Sequence, residues 1–275
     1  MRVASPSAGF LTATVAAVHQ VRAALAPIHP DGSPNSLTVL ELRAGCRAQR
    51  PVDRTGSIDM QNLRVFDYFR SSASYRVRIA LALKGLPFEQ TAVHLVRNGG
   101  EQHGAAYIDI NPQGLVPTLC DNDFTLSQSL AILEYLEDAY PEISLHPCDP
   151  RSRAKAREIA LTIACDIHPL NNLRVLQYLG SRLKVDEDEK GGWVQHWIHE
   201  GFDALESRLC ATEKSSFCVG DTPTIADCCL VPQVFNARRF GVDMTRYERI
   251  VEIDARCSML SAFQAAHPSR QPDAE

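Results

Sequence analysis

The residues best suited to chemistry cluster at Arg70-Ser71-Ser72-Ala73-Ser74-Tyr75-Arg76-Val77-Arg78. Hydroxyl side chains there can cap a new helix. The free N–H groups and positive dipole end of that helix can hold an anion. A thiolate is one such anion, and the deprotonated form of a thiol is the one that attacks. Two further groups stand downstream. Asn111-Pro112-Gln113-Gly114-Leu115-Val116-Pro117-Thr118-Leu119 places a proline at a strand start, where its missing N–H costs no ladder bond. A trans Val116–Pro117 bond would make this an ordinary strand entry. A cis bond would present the Val116 N–H and C=O to an extended peptide. Gln128-Ser129 opens a helix, where Ser129 either caps it or helps hold a carboxylate.

The elements that must position these groups follow a strand, helix, strand, helix, strand, strand, helix order from residue 61. Leu63–Phe69 is rich in β-branched and aromatic residues and predicts a strand. Ser74–Lys84 predicts a helix stopped by Gly85, and Phe88–Leu95 a second strand. Gly104–Ile110 predicts a short helix. Val116–Cys120 and Phe124–Leu126 predict a hairpin around Asp121-Asn122-Asp123. Ser127–Tyr140 predicts a helix with Ile132, Leu133, Leu136 and Tyr140 on its apolar face, stopped by Pro141. This order describes an α/β thioredoxin-like domain over 61–141, brought to a close by a proline-rich linker at 142–150. Residues 151–275 read as all-helical, with helices at about 151–180, 190–211, 224–239 and 255–266. Thr224-Ile225-Ala226-Asp227 has the form of a capping box, which makes Asp227 structural. Trp193 and Trp197 should share a helix face, and Asp186–Lys190 reads as a solvated loop. Arg238 and Arg239 are adjacent, so one can face solvent while the other reaches a cleft.

Composition bounds the rest. A net charge of −5 argues against nucleic acid as a partner. No apolar run approaches the ~18–20 residues of a membrane span. The nine cysteines have irregular spacing and no C-x-x-C pair. That argues against a metal framework or disulfide scaffold and suits the reducing cytoplasm, with most thiols packed as small hydrophobes. Residues 1–60 differ: Arg2, Arg22, Arg43, Arg47, Arg50 and Arg54 face few acids, and Phe10–Leu25 could form an apolar helix. This has the flavour of a transit peptide. The simpler expectation is a disordered extension or an upstream stretch, with the native protein starting at Met60.

From residue 62 to 273 the chain resembles the zeta class of glutathione transferases, in particular its bacterial maleylacetoacetate isomerases. The segments that carry the resemblance are Tyr68 to Leu81, Asn111-Pro112 through Val116-Pro117-Thr118-Leu119, and Gln128-Ser129-Leu130-Ala131-Ile132-Leu133-Glu134-Tyr135-Leu136. In the helical half they are Ile167-His168-Pro169-Leu170-Asn171-Asn172-Leu173, Ala226 to Gln233, and Gln271-Pro272-Asp273. Their order and spacing together make the match specific. The resemblance implies glutathione as cofactor, with Ser71 donating to its sulfur and Ser72, Tyr75 and Arg76 around it. It implies Gln102 at the glycyl end, Val116 along the cysteinyl backbone, and Gln128 and Ser129 at the γ-glutamyl end. His168 and Asn172 would line the site from the helical domain. Arg239, with Arg70 and Arg174, would meet substrate carboxylates, since arginine pairs well with a dicarboxylate.

The reaction so implied is cis–trans isomerisation of maleylacetoacetate to fumarylacetoacetate in tyrosine and phenylalanine breakdown. A homodimer is implied as well. The chain departs from the family pattern at Ala73, where many members carry cysteine, leaving Ser71 as the main activator of the sulfur. Other readings are maleylpyruvate isomerisation, a broader transferase or α-halo acid dehalogenase, and a non-catalytic binding module of the same fold. The hydroxyl cluster argues against the last.

Overall fold

The structure is a computed structural model that describes residues 63–211 and 214–275. The extension at 1–60 lies outside the described residues. The first elements are β1 (Leu63–Asp67), α1 (Ser72–Lys84), β2 (Glu89–Ala92), α2 (Ala105–Ile108), β3 (Thr118–Asp121), β4 (Phe124–Ser127) and α3 (Ser129–Ala139). The strands form one sheet in the order β2-β1-β3-β4. β1 and β2 run parallel, joined across α1, while β3 is antiparallel to both β1 and β4. The observed order of elements matches the expected one.

β1 shows why this corner forms. Leu63, Val65 and Asp67 are buried in alternation with Arg64 and Phe66, the period of a strand with one face covered. The strand stops at Asp67, two residues earlier than expected, and there Arg78 takes hold of the chain. Arg78 Nη1 donates to both Asp67 carboxylate oxygens at 2.8 Å. Arg78 also donates to the Phe69 carbonyl and, from Nε, to the carbonyl of Ala266, each at 3.0 Å. Both members of the pair are fully buried. α1 ends at Gly85, which adopts φ 65° and lets its own N–H reach the Ala82 and Leu81 carbonyls.

A turn-rich stretch at 141–149 leads into the helical half, where Asp149 caps α4 (Pro150–Leu161). The helices continue with α5 (Leu173–Arg182), α6 (Glu187–Ala211), α7 (Ile225–Arg239), α8 (Glu248–Ser258) and α9 (Ser261–Ala266). The long helix expected over 151–180 is broken. A π-helical segment, Thr162–Ile167, runs into a 3₁₀ turn, His168–Asn171, and Asn172 then caps α5 through its side chain. His168 keeps α geometry ahead of Pro169 (φ −56°, ψ −42°), and the backbone departs from it at Ile167 (φ −101°, ψ −64°). Ile167 packs against the bare backbone of Gly201, where any Cβ would collide with its side chain. The 255–266 helix is also two helices, because Leu260 is extended between them. The acidic run at 186–190 is not a loop: α6 starts at Glu187, and carboxylates suit a helix N-terminus.

One apolar core runs through the sheet side and the helical side, from Leu63, Val65 and Ile132 to Ile163, Phe202 and Leu230. α1 packs on α3, α7 and α9. Asp227 is fully buried within the expected capping box. Its carboxylate accepts from the backbone N–H of Thr224 at 2.8 Å and of Cys218 at 2.9 Å. Trp193 and Trp197 meet edge to face at 5.7 Å. Cysteines 218, 228, 229 and 257 are core fillers as expected, whereas Cys148, Cys165 and Cys210 are exposed.

Candidate active site

The β1–α1 corner turns at Ser71. Its backbone is extended (φ −67°, ψ 117°), and its Oγ accepts from the N–H of Ser74 at 3.2 Å. A hydroxyl that accepts in this way keeps its own proton for donation. Ser71 therefore caps α1 and still offers an O–H to the cleft beside it. Two contiguous clefts meet here. One, about 190 Å³, includes Ser71, Ser72, Arg70 and Arg239. The other, about 380 Å³, includes Arg76, Val116, Gln128, Ser129 and Arg174. His168 and Asn172 line both and join them.

The second cleft is built around Arg76, which is 2% exposed. Its Nη1 donates to Ser129 Oγ at 3.2 Å and its Nη2 lies 2.9 Å from His168 Nδ1. A guanidinium can only donate, so His168 Nδ1 is an acceptor and Nε2 carries the proton. Burial, then the charges of Arg76 and Arg174, push the His168 pKa down to about 3. His168 is a neutral hydrogen-bond donor at ordinary pH. Ser129 does not cap α3, since its Oγ faces Arg76, and no side chain caps that helix. Gln128, at φ 74°, occupies a backbone region that side chains rarely adopt, the kind of strain that collects at ligand sites. Its side chain donates to Gln113 Oε1 at 3.0 Å. The Val116–Pro117 bond is cis. Neither backbone group of Val116 is engaged by another described residue.

The first cleft is lined with cations held by aromatic faces. Arg70 donates from Nε and Nη2 to Tyr68 Oη at 3.2 and 2.9 Å and lies 4.9 Å from the centre of the Phe69 ring. Arg239 lies 4.9 Å from the Phe240 ring. Desolvation by the cleft wall, then the charge of Arg70, lower the Arg239 pKa, although its side chain keeps contact with solvent. Arg238 turns away and pairs with Asp254 at 2.6 Å. No carboxylate among the described residues lines either cleft, although the chain as a whole is acidic. A concave wall of one sign focuses its field on an incoming anion. Arg70 has an acid at its outer side, Glu275, 3.8 Å away and also paired with His94 and Arg97. Asp273 accepts from the Phe69 N–H at 3.0 Å, so the Gln271-Pro272-Asp273 motif braces the corner.

Two expected site residues line neither cleft. Tyr75 is 2% exposed, and its ring meets Phe235 and His267 edge to face, on the side where α1 packs against α7. Gln102 is 5% exposed in a 3₁₀ turn and reaches the Leu95 carbonyl at 3.4 Å. It lies under the loop that carries Leu95 and Val96 into the first cleft. Sequence reasoning assigns no role to Asn171, Gln233 and Asn236, yet all three line that cleft. Gln233, Asn236 and Arg239 are spaced by three on α7, one helix face in an otherwise apolar run. That spacing is the signal that could have found them. Among the described residues no cluster could hold a metal ion.

Comparison with known proteins agrees with this geometry. Residues 70–139 match the family model of the glutathione S-transferase N-terminal domain. The chain is 50% identical over 215 residues to a probable maleylacetoacetate isomerase of Vibrio cholerae, covering 78% of this chain and all of that protein. A holo maleylpyruvate isomerase of the zeta class matches with a TM-score of 0.75 and 46% identity, over 77% of this chain and 100% of that one. A maleylacetoacetate isomerase from Methylobacterium extorquens AM1, solved with malonate and glutathione bound, matches with a TM-score of 0.74 and 38% identity, over 77% and 99%. A helix-start hydroxyl facing an acid-free, arginine-lined cleft, on this sheet and with these relatives, places the chain in the zeta-class glutathione transferase family.

Proposed function

We propose that the chain catalyses the glutathione-dependent cis–trans isomerisation of maleylacetoacetate to fumarylacetoacetate. The observation that carries this reading is the meeting, in one cleft without carboxylates, of a helix-start hydroxyl and two arginines. The second cleft fits the tripeptide. The uncapped start of α3, with Ser129 and Arg76, suits the γ-glutamyl carboxylate. The free backbone groups of Val116 suit the cysteinyl main chain, and Gln128 and Asn172 stand beside them. When bound, glutathione supplies a thiolate that adds reversibly to the alkene and so frees its double bond to rotate.

The chain's own residues do the rest. Ser71 donates its O–H to the sulfur, and the α1 N-terminus, with Ser72, favours the negative charge there. His168 donates from Nε2 without adding a charge. Arg239 and Arg70 hold the substrate carboxylates and favour negative charge building on its carbonyl oxygen, with Arg174 at the edge of the second cleft. In this reading residues 61–141 bind glutathione and 151–275 supply the substrate wall. The working form is a cytoplasmic homodimer, which unpaired cysteines suit. Maleylpyruvate is the second candidate substrate, because the chain is also 46% identical to the maleylpyruvate isomerase. Parallel turnover of both acids, with and without glutathione, tests the proposal. Turnover of either must need glutathione, and equal rates without it would refute the reading.

A further inference from the structure

The first cleft holds a group that the chemistry above does not use. Asn171 ends the 3₁₀ turn that follows the π-helical segment and is 8% exposed. Neither Nδ2 nor Oδ1 of its side chain has a hydrogen-bond partner among the described residues. Buried polar groups are nearly always paired, and an orphaned one costs about 1–3 kcal/mol. Its neighbours are spoken for. Asn172 Oδ1 accepts from the Arg174 N–H at 3.1 Å, and Gln233 Nε2 donates to Asn236 Oδ1 at 3.3 Å. Asn171 lines the same space as Ser71, Arg70 and Arg239.

The arginines are matched to carboxylates. The asparagine is neutral and offers a donor and an acceptor side by side. A ligand that satisfies both atoms must present an acceptor and a donor on neighbouring oxygens. A carboxylate presents two acceptors and leaves Oδ1 orphaned. An isolated ketone presents one. The enol form of a 1,3-diketone presents a carbonyl oxygen and a hydroxyl, and it is uncharged. We infer that Asn171 recognises a 1,3-dioxo segment of the substrate, donating from Nδ2 to its carbonyl oxygen and accepting at Oδ1 from its enol hydroxyl. This rests on reading the cleft as a dicarboxylate site. It makes Asn171 the residue that selects dioxo dicarboxylates over plain ones of the same length.

The test uses 4,6-dioxooctanedioate, which has no double bond to isomerise, and octanedioate, which lacks the two ketones. Each is titrated calorimetrically into the full chain saturated with glutathione. The wild type should bind the dioxo acid about tenfold more tightly, the worth of two ordinary hydrogen bonds. The enol absorbance of the bound diketone should rise as well. Asn171→Ala and Asn171→Leu should bind both acids equally, with octanedioate affinity and glutathione affinity unchanged. Asn171→Asp, nearly the same shape, loses the donor and should lose the preference too, which covers the case in which the other variants fold poorly. A preference that survives in the variants, or is absent from a wild type that binds octanedioate, overturns the inference alone. A wild type that binds neither acid overturns the reading of the cleft together with it.

Discussion

The arginines around Ser71 are held in opposite ways. Arg76 and Arg78, on α1, are buried and bonded to the protein: Nη1 and Nη2 of Arg76 meet Ser129 and His168 while its Nε has no described partner, and Arg78 holds Asp67 and the Phe69 and Ala266 carbonyls. Arg70 and Arg239 stand at the cleft and rest on aromatic faces. No described hydrogen-bond acceptor takes Arg239. Arg70 already donates to Tyr68 Oη, whereas the stacked guanidinium of Arg239 keeps its fork of donors for whatever enters. Burial thus makes Arg78 architecture and fixes Arg76 in the wall of the second cleft, while ring faces hold Arg70 and Arg239 at the first.

That contrast can be tested from its strongest side downward. Asp67→Ala leaves Arg78 buried and without its carboxylate and should cost about 3–5 kcal/mol of stability, read as a lower midpoint in denaturant. Ser71→Ala should divide the two kinds of loss. We expect kcat/KM for isomerisation to fall by roughly 10²–10³, the usual effect of removing one donor to a developing negative charge. Stability should fall by only about 1 kcal/mol for the lost cap. Arg239→Ala should raise KM by roughly 10–100-fold, the worth of about 1.5–3 kcal/mol for hydrogen bonds to a charged group. Thermal unfolding should shift little, because Arg239 holds no other described residue by a hydrogen bond. An Arg239→Ala protein with unchanged KM but a lowered midpoint would move this residue to the architectural side.

The remaining effect concerns pH. His168 has a folded pKa of about 3, below its ordinary value of 6.5. Between these values the unfolded chain binds a proton at this residue that the folded chain does not, so its contribution to stability falls as pH drops from 6.5 towards 3. His168→Gln, which can still accept from Arg76, should flatten that part of the stability curve. The wild-type activity profile should show no step near pH 6.5 arising from His168.

The Ser71 corner and the capping boundaries could be read from residues alone, because caps, Gly85 and the β1 alternation are local signals. The break at 162–171 could not. Apolar periodicity continues through it, and the π segment ends where Ile167 meets Gly201 across the fold. Tyr75 misled for a related reason: its place on α1 is right, but Phe235 and His267 capture its ring from distant parts of the chain. The acid-free cleft is a spatial property, hidden inside a chain of net charge −5. Asn171 has no role in the sequence reading because nothing in sequence reveals an unpaired amide.

The bond from Arg78 to the Ala266 carbonyl spans 188 positions. At about 5–20 residues per second, the ribosome delivers Ala266 roughly 10–40 s after Arg78. Throughout that interval the nascent corner carrying Ser71 lacks one of its clamps, and the brace that Asp273 gives to Phe69 comes later still. The corner that carries Ser71 therefore gains its last described contacts late in synthesis. A message cut short near its 3′ end would yield a chain with most of its helices but an unbraced corner at Ser71.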